Sequence, residues 1–142
     1  MDTSQQNQQK QASELMVITK AKDLCSYVFM ITNSSPKRFR FTFVSRMQNL
    51  ALEIAERLFR ANEEFLDVNR PQSYSEPRRE HQKQALVSVK LLAYFTMLAK
   101  EQGCILAKQY QQIAKMTTEC QRLIAAWIAS DKKRLSFRSA GE

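Results

Sequence analysis

Two glycines and three prolines in 142 residues leave few places to punctuate a chain. Where turns are scarce, the elements between them must be long, and that favours helices. The same shortage of glycine removes the phosphate-cradling glycine loop of nucleotide-binding folds. His81 is the sole histidine, in a run of charge with no glycine elbow nearby, so a hydrolase triad has nothing to build on. Cys25, Cys104 and Cys120 are odd in number and lack Cys-x-x-Cys spacing, and no Cys-His pair has the spacing of a zinc site. Each cysteine lies among apolar neighbours, as a free thiol serving the core does, which points to a reduced, cytoplasmic setting. An apolar signal core is missing from the N-terminus. The longest greasy run, "ALVSVKLLAYFTMLA" at 85–99, is interrupted by Lys90 and falls short of the ~20 residues of a membrane span. A soluble, non-catalytic protein without metal or cofactor is expected.

What the chain has instead is positive charge and apolar periodicity. Lys and Arg number 22 against 14 Asp and Glu, a formal charge of +8. That excess suits a polyanion partner such as RNA or DNA, and it also serves solubility. With 44% apolar residues, a chain of this length can bury one real core.

Residues 1–12, rich in glutamine, read as a disordered polar tail, and 132–142 as a basic flexible one. Between them, over about 13–131, the spacing predicts helices of about 14–33, 42–66, 76–102 and 107–130. Leu15, Ile18, Leu24 or Cys25, Val28 and Ile31 or Thr32 mark the buried face of the first. The second carries Val44, Met47, Ala51, Ile54, Leu58, Ala61 and Phe65 in alternating steps of three and four. It also carries Leu52, Phe59 and Leu66 in steps of seven, rotated away from the first stripe. That second line is either part of a wide core face or a subunit interface. Glu53–Arg57 and Glu56–Arg60 are helical i,i+4 pairs, a structural use of carboxylates. Residues 67–75 form the one long loop, Ser75 and Pro77 open the third helix, and Gly103 closes it. The third helix is apolar on most of its circumference after Ala85, and again asks for more than one burial surface. Tyr110, Ile113, Met116 or Thr117, Cys120, Ile124 and Trp127 mark the fourth. Short connections imply antiparallel neighbours, hence an all-α, up-and-down four-helix bundle.

One connection is unusual. "SSPKRFRFTF", residues 34–43, sets Lys37, Arg38 and Arg40 beside Phe39, Phe41 and Phe43. With Thr42 as the N-cap of the second helix, the unpaired N–H groups there and the flanking cations form an anion site, which Arg46 extends. The phenylalanines either close the end of the bundle or stack on bases. Arg78 and Arg79 repeat the pattern more weakly at the start of the third helix, offset by Glu76 and Glu80.

The stretch "ELMVITKAKDLCSYVFMITNSSPKRFRFTFVSRMQNLALEIAERLFRAN" resembles the first half of a bacterial four-helix-bundle family. "LLAYFTMLAKEQGCILAKQYQQIAKMTTECQRLIAAWIASDKKR" resembles its second half. The family contains the proteins encoded in 23S rRNA intervening sequences and the accessory variability determinant of diversity-generating retroelements. The likeness spans nearly everything between residues 14 and 134; its motifs are apolar spacing and a basic turn, which mark the fold better than the task. Leu106 and Ala107 depart from it where a serine would cap the fourth helix. The resemblance implies a basic, ring-shaped homopentamer, and the second stripe of Leu52, Phe59 and Leu66, read as the oligomer interface, agrees with it. In the retroelement branch it implies a non-catalytic partner of a reverse transcriptase that binds nucleic acid and helps template RNA be copied in mutagenic retrohoming. Lys37, Arg38, Arg40, Arg46, Arg78 and Arg79 are the positions it marks for nucleic-acid or polymerase contact. A plain oligomeric scaffold acting through protein contacts is the competing expectation.

Overall fold

The computed structural model describes residues 3–64, 66, 69 and 75–140. The described residues contain no strand, and four long helices carry the fold: α1 (Thr3–Thr32), α2 (Ser45–Glu63), α3 (Glu76–Glu101) and α4 (Ala107–Ala140). A helical bundle fits this arrangement. The helices α1 and α3 both pack on α2, and α4 packs on α1 and α3.

One core runs through all four. Val17, Ala21, Leu24, Val28 and Ile31 bury the inner face of α1, so the core phase passes through Val17 and Ala21 while Ile18 is half-buried. Helix α2 contributes Met47, Ala51, Ile54, Leu58 and Ala61, as the spacing predicts, and Leu50 besides. Ala85, Val89, Leu92 and Ala99 come from α3, and Ile113, Cys120, Ile124 and Trp127 from α4. Leu15, Phe65 and most of the 67–75 loop lie outside the described residues or side chains.

Both outer helices run further than polarity suggests. Helix α1 begins at Thr3, within the segment expected to be a tail, and α4 continues to Ala140, beyond the expected end near Ser130. Gln, Lys, Arg and Ala are good helix formers, and neither extension contains glycine or proline to stop it.

The α3–α4 junction follows from one residue. Gly103 takes φ +80°, donates to Lys100 O at 3.1 Å, and lets Cys104 N–H reach Ala99 O at 2.8 Å. This is a Schellman turn, in which glycine accepts the left-handed conformation that a Cβ resists. The missing serine cap of α4 is replaced from within the helix. Gln109 Oε1 accepts the Leu106 N–H at 2.9 Å, the reaching-back half of a capping box. Ser75 stands at the cap position of α3 without a side-chain capping bond, and Pro77 occupies the first turn.

Candidate functional site

The end of α1 is tied to α2 through a threonine. Thr32 Oγ1 donates to Val28 O at 2.7 Å and accepts from Gln48 Nε2 at 3.0 Å. The chain then turns through Asn33–Pro36 and re-enters helical structure at Lys37, not at Thr42. A 3-10 turn spans Lys37–Phe39 and a π turn spans Arg40–Val44, leading without a break into α2. Thr42 therefore caps nothing; its hydroxyl lies 3.4 Å from Phe39 O, one turn back. The helical segment is headed by the amides of Lys37 and Arg38, since Phe39 N–H already bonds Pro36 O and Arg40 N–H bonds Lys37 O.

The π turn has a physical reason. Arg40 stands seven residues before Met47, which stands seven before Ile54 and fourteen before Ala61, and those three are fully buried. An unbroken α-helix would turn Arg40 onto that same face, where an unpaired guanidinium is costly. The wider turn, closed by Ser45 N–H on Arg40 O, shifts the phase, and Arg40 emerges into solvent.

Lys37, Arg38, Arg40 and Arg46 are all exposed, and among the described residues none is ion-paired to a carboxylate. Arg38 lies over the Phe39 ring at 4.6 Å, and Arg46 over Phe95 of α3 at 5.4 Å. Arg38 also approaches the α3–α4 turn, 4.0 Å from where a Cβ on Gly103 would stand. Lys37 and Arg40 line an open groove of about 510 Å³ together with Phe41 and residues of the α1–α2 turn. The three phenylalanines divide. Phe39 and Phe43 are half-buried and meet edge to face at 6.0 Å, closing the end of the bundle. Phe41 is 88% exposed.

The arginines at the start of α3 do not join this site, and Arg78 does not act as a surface cation. It is 5% exposed, bonds both oxygens of Asp131 at 2.7 and 3.2 Å, donates to Glu64 O at 3.2 Å and stacks on Trp127 at 4.9 Å. Gln82 Nε2 adds a bond to Asp131 at 2.9 Å, and Arg134 closes on the same carboxylate. Sequence carries the signal: Arg78 lies seven residues before Ala85, fourteen before Leu92 and twenty-one before Ala99, all core residues. Asp131 follows Ile124 by seven on α4. Arg79 is partly exposed, with Nη1 3.8 Å from Glu76.

Of the second stripe on α2, Leu52 and Phe59 are 49% and 59% exposed, turned away from Ile54. Leu66 leaves that line: α2 ends at Glu63, and Leu66 is half-buried beside Arg79, Gln82 and Ile128. Val87 and Tyr94, seven apart on α3, are likewise about half exposed, at 49% and 54%. Glu56 and Arg60 pair at 3.7 Å as the spacing predicts, whereas Arg57 places Nη1 3.3 Å from His81 Nδ1. Burial raises all three thiols, Cys120 to about 11 with help from Glu119, so none has the lowered pKa of a reactive cysteine.

No helix among the described residues is long and apolar enough to cross a membrane. No protein-family model matches the chain, and no curated protein matches it. Among solved structures it is similar to a protein of unknown function from the S23 ribosomal protein family of Bacteroides thetaiotaomicron VPI-5482. The TM-score is 0.68 at 14% identity, over 82% of this chain and 98% of that one. At that identity the likeness is one of helical fold.

Proposed function

We propose that this chain is a non-catalytic nucleic-acid-binding accessory protein that partners a retroelement reverse transcriptase and its template RNA in mutagenic retrohoming. Its working form is a ring-shaped homopentamer of antiparallel, up-and-down four-helix bundles in the cytoplasm. The observation that carries the nucleic-acid reading is the gathering of Lys37, Arg38, Arg40 and Arg46 at one end, exposed and free of carboxylate partners among the described residues. Phosphate contacts need such cations. Antiparallel order is supported by register: from Arg46 to Arg57 along α2, the facing residue on α3 falls back from Phe95 to His81. Self-assembly is supported by Leu52, Phe59, Val87 and Tyr94, apolar side chains that a lone bundle leaves wet. The reverse transcriptase and the count of five rest on the family resemblance.

The test is titration of RNA and DNA onto the purified protein at several salt concentrations. Log affinity should fall linearly with log salt, by about 0.7 per phosphate contact on single strands and about 0.9 on duplex. Replacing Lys37, Arg38 and Arg40 together with glutamate should weaken binding by at least roughly tenfold and flatten that slope, with the assembly mass unchanged. Undiminished binding would remove the site. Co-purification of a reverse transcriptase with the tagged protein from its native cell tests the partner.

The exposed apolar residues also favour a second reading, an oligomeric scaffold of the intervening-sequence type that acts through protein contacts. It predicts an oligomer that shifts no nucleic-acid probe at moderate salt.

A further inference from the structure

The π turn that frees Arg40 also projects Phe41, and the groove beneath has a composition that charge neutralisation alone does not explain. A site that only neutralised phosphate would need cations, not a phenylalanine left 88% exposed in the same groove. The groove presents the Phe41 ring, the cations Lys37 and Arg40, and the amides of Asn33 and Gln48. The Gln48 amide is held in place because its nitrogen donates to Thr32 Oγ1 at 3.0 Å, which leaves its oxygen as the acceptor still to be used. At about 510 Å³ the space falls in the ~300–1,000 Å³ range of small-ligand sites.

From this combination we infer that the groove receives one unpaired nucleotide of a single-stranded nucleic acid. Its base stacks on Phe41, its base edge meets the Asn33 and Gln48 amides, and its flanking phosphates lie on Lys37 and Arg40. A base inside a duplex has both faces covered by its neighbours and cannot offer one to Phe41; an unpaired base can. The inference rests on the nucleic-acid reading above and deepens it, from affinity for polyanions in general to a preference for single strands. Phe39 and Phe43 take no part, since they are committed to the end of the bundle.

The test compares the full-length protein with its Phe41→Ala and Phe41→Trp variants. The probes are one labelled oligonucleotide as single-stranded RNA, single-stranded DNA and duplex DNA, with affinity read by anisotropy. Phe41→Ala should weaken single-strand binding roughly five- to 150-fold, the span of one lost base–aromatic stack, and leave duplex binding unchanged. Phe41→Trp should restore the preference. Circular dichroism and assembly mass should match the parent, because a ring 88% exposed adds little to the core. Equal loss on both probes, or loss on neither, overturns the inference. A lower assembly mass for Phe41→Ala overturns it too, by showing that a second copy fills the groove. If Phe41→Ala is silent while the glutamate triple variant weakens every probe, the polyanion reading stands and this one falls. If both are silent, both fall.

Discussion

At one end of the molecule Lys37, Arg38, Arg40 and Arg46 reach solvent with no acid against them among the described residues; at the other, Arg78 and Arg134 close on Asp131 while Arg79 leans on Glu76. The residue types are alike and the uses are opposite. Helical phase separates them. Arg78 stays on the core heptad of α3 and is met there by a carboxylate from the core heptad of α4. Arg40 would share the core heptad of α2, meets no acid among the described residues, and is turned out by a change of helix type. A cation turned out of the core in this way is available for binding.

The contrast breaks most visibly at Asp131. Asp131→Ala takes from the buried Arg78 the two bonds that Asp131 accepts and should cost about 3–5 kcal/mol, read by urea denaturation. Arg40→Ala should change stability by less than about 0.5 kcal/mol in the same assay. Replacing the pair together, Arg78→Met with Asp131→Leu, should recover part of the loss, because an apolar pair removes the desolvation cost along with the attraction while Gln82 and Arg134 still lose the Asp131 acceptor. A small effect of Asp131→Ala alone would mean that the ion cluster does not hold that end.

A middle-sized effect is expected at Gly103. Its left-handed φ makes Gly103→Ala cost roughly 1–2 kcal/mol in backbone strain, with no clash to add, since Arg38 Nη2 is the nearest atom at 4.0 Å. Thermal melting of the variant checks this.

A further effect is a matter of pH. Burial holds the Cys120 proton up to about 11, against an ordinary value of 9.0 for the unfolded thiol. The folded chain thus binds that proton more tightly, so the contribution is complete below about pH 9 and is lost as pH rises toward about 11. Denaturation of the parent and of Cys120→Ala across this range should show the steeper decline in the parent.

Much of the bundle was legible in the residues. The stripe from Met47 to Ala61 and the turn at Gly103 follow from periodicity and from glycine's conformational freedom, both local properties. The burial of Arg78 is equally legible, through its steps of seven to Ala85, Leu92 and Ala99, although its charge argues for the surface. The start of α2 was not legible in the same way. A π turn has no composition of its own; it appears where continuing the α phase would bury the wrong side chain, and that conflict needs the core to be located first. Leu66 does not continue the stripe of Leu52 and Phe59, because steps of seven mean a shared face only while the helix lasts, and α2 stops at Glu63.

The shifted turn from Arg40 to Val44 makes the tip of the bundle sensitive to counting as well as to chemistry. Were that stretch to relax to regular α geometry with every residue kept, everything upstream would be re-timed, swinging the Arg40 guanidinium inward and carrying the Phe41 ring off its ledge. A lineage that regularised this one turn would keep the same cations on paper and lose their address.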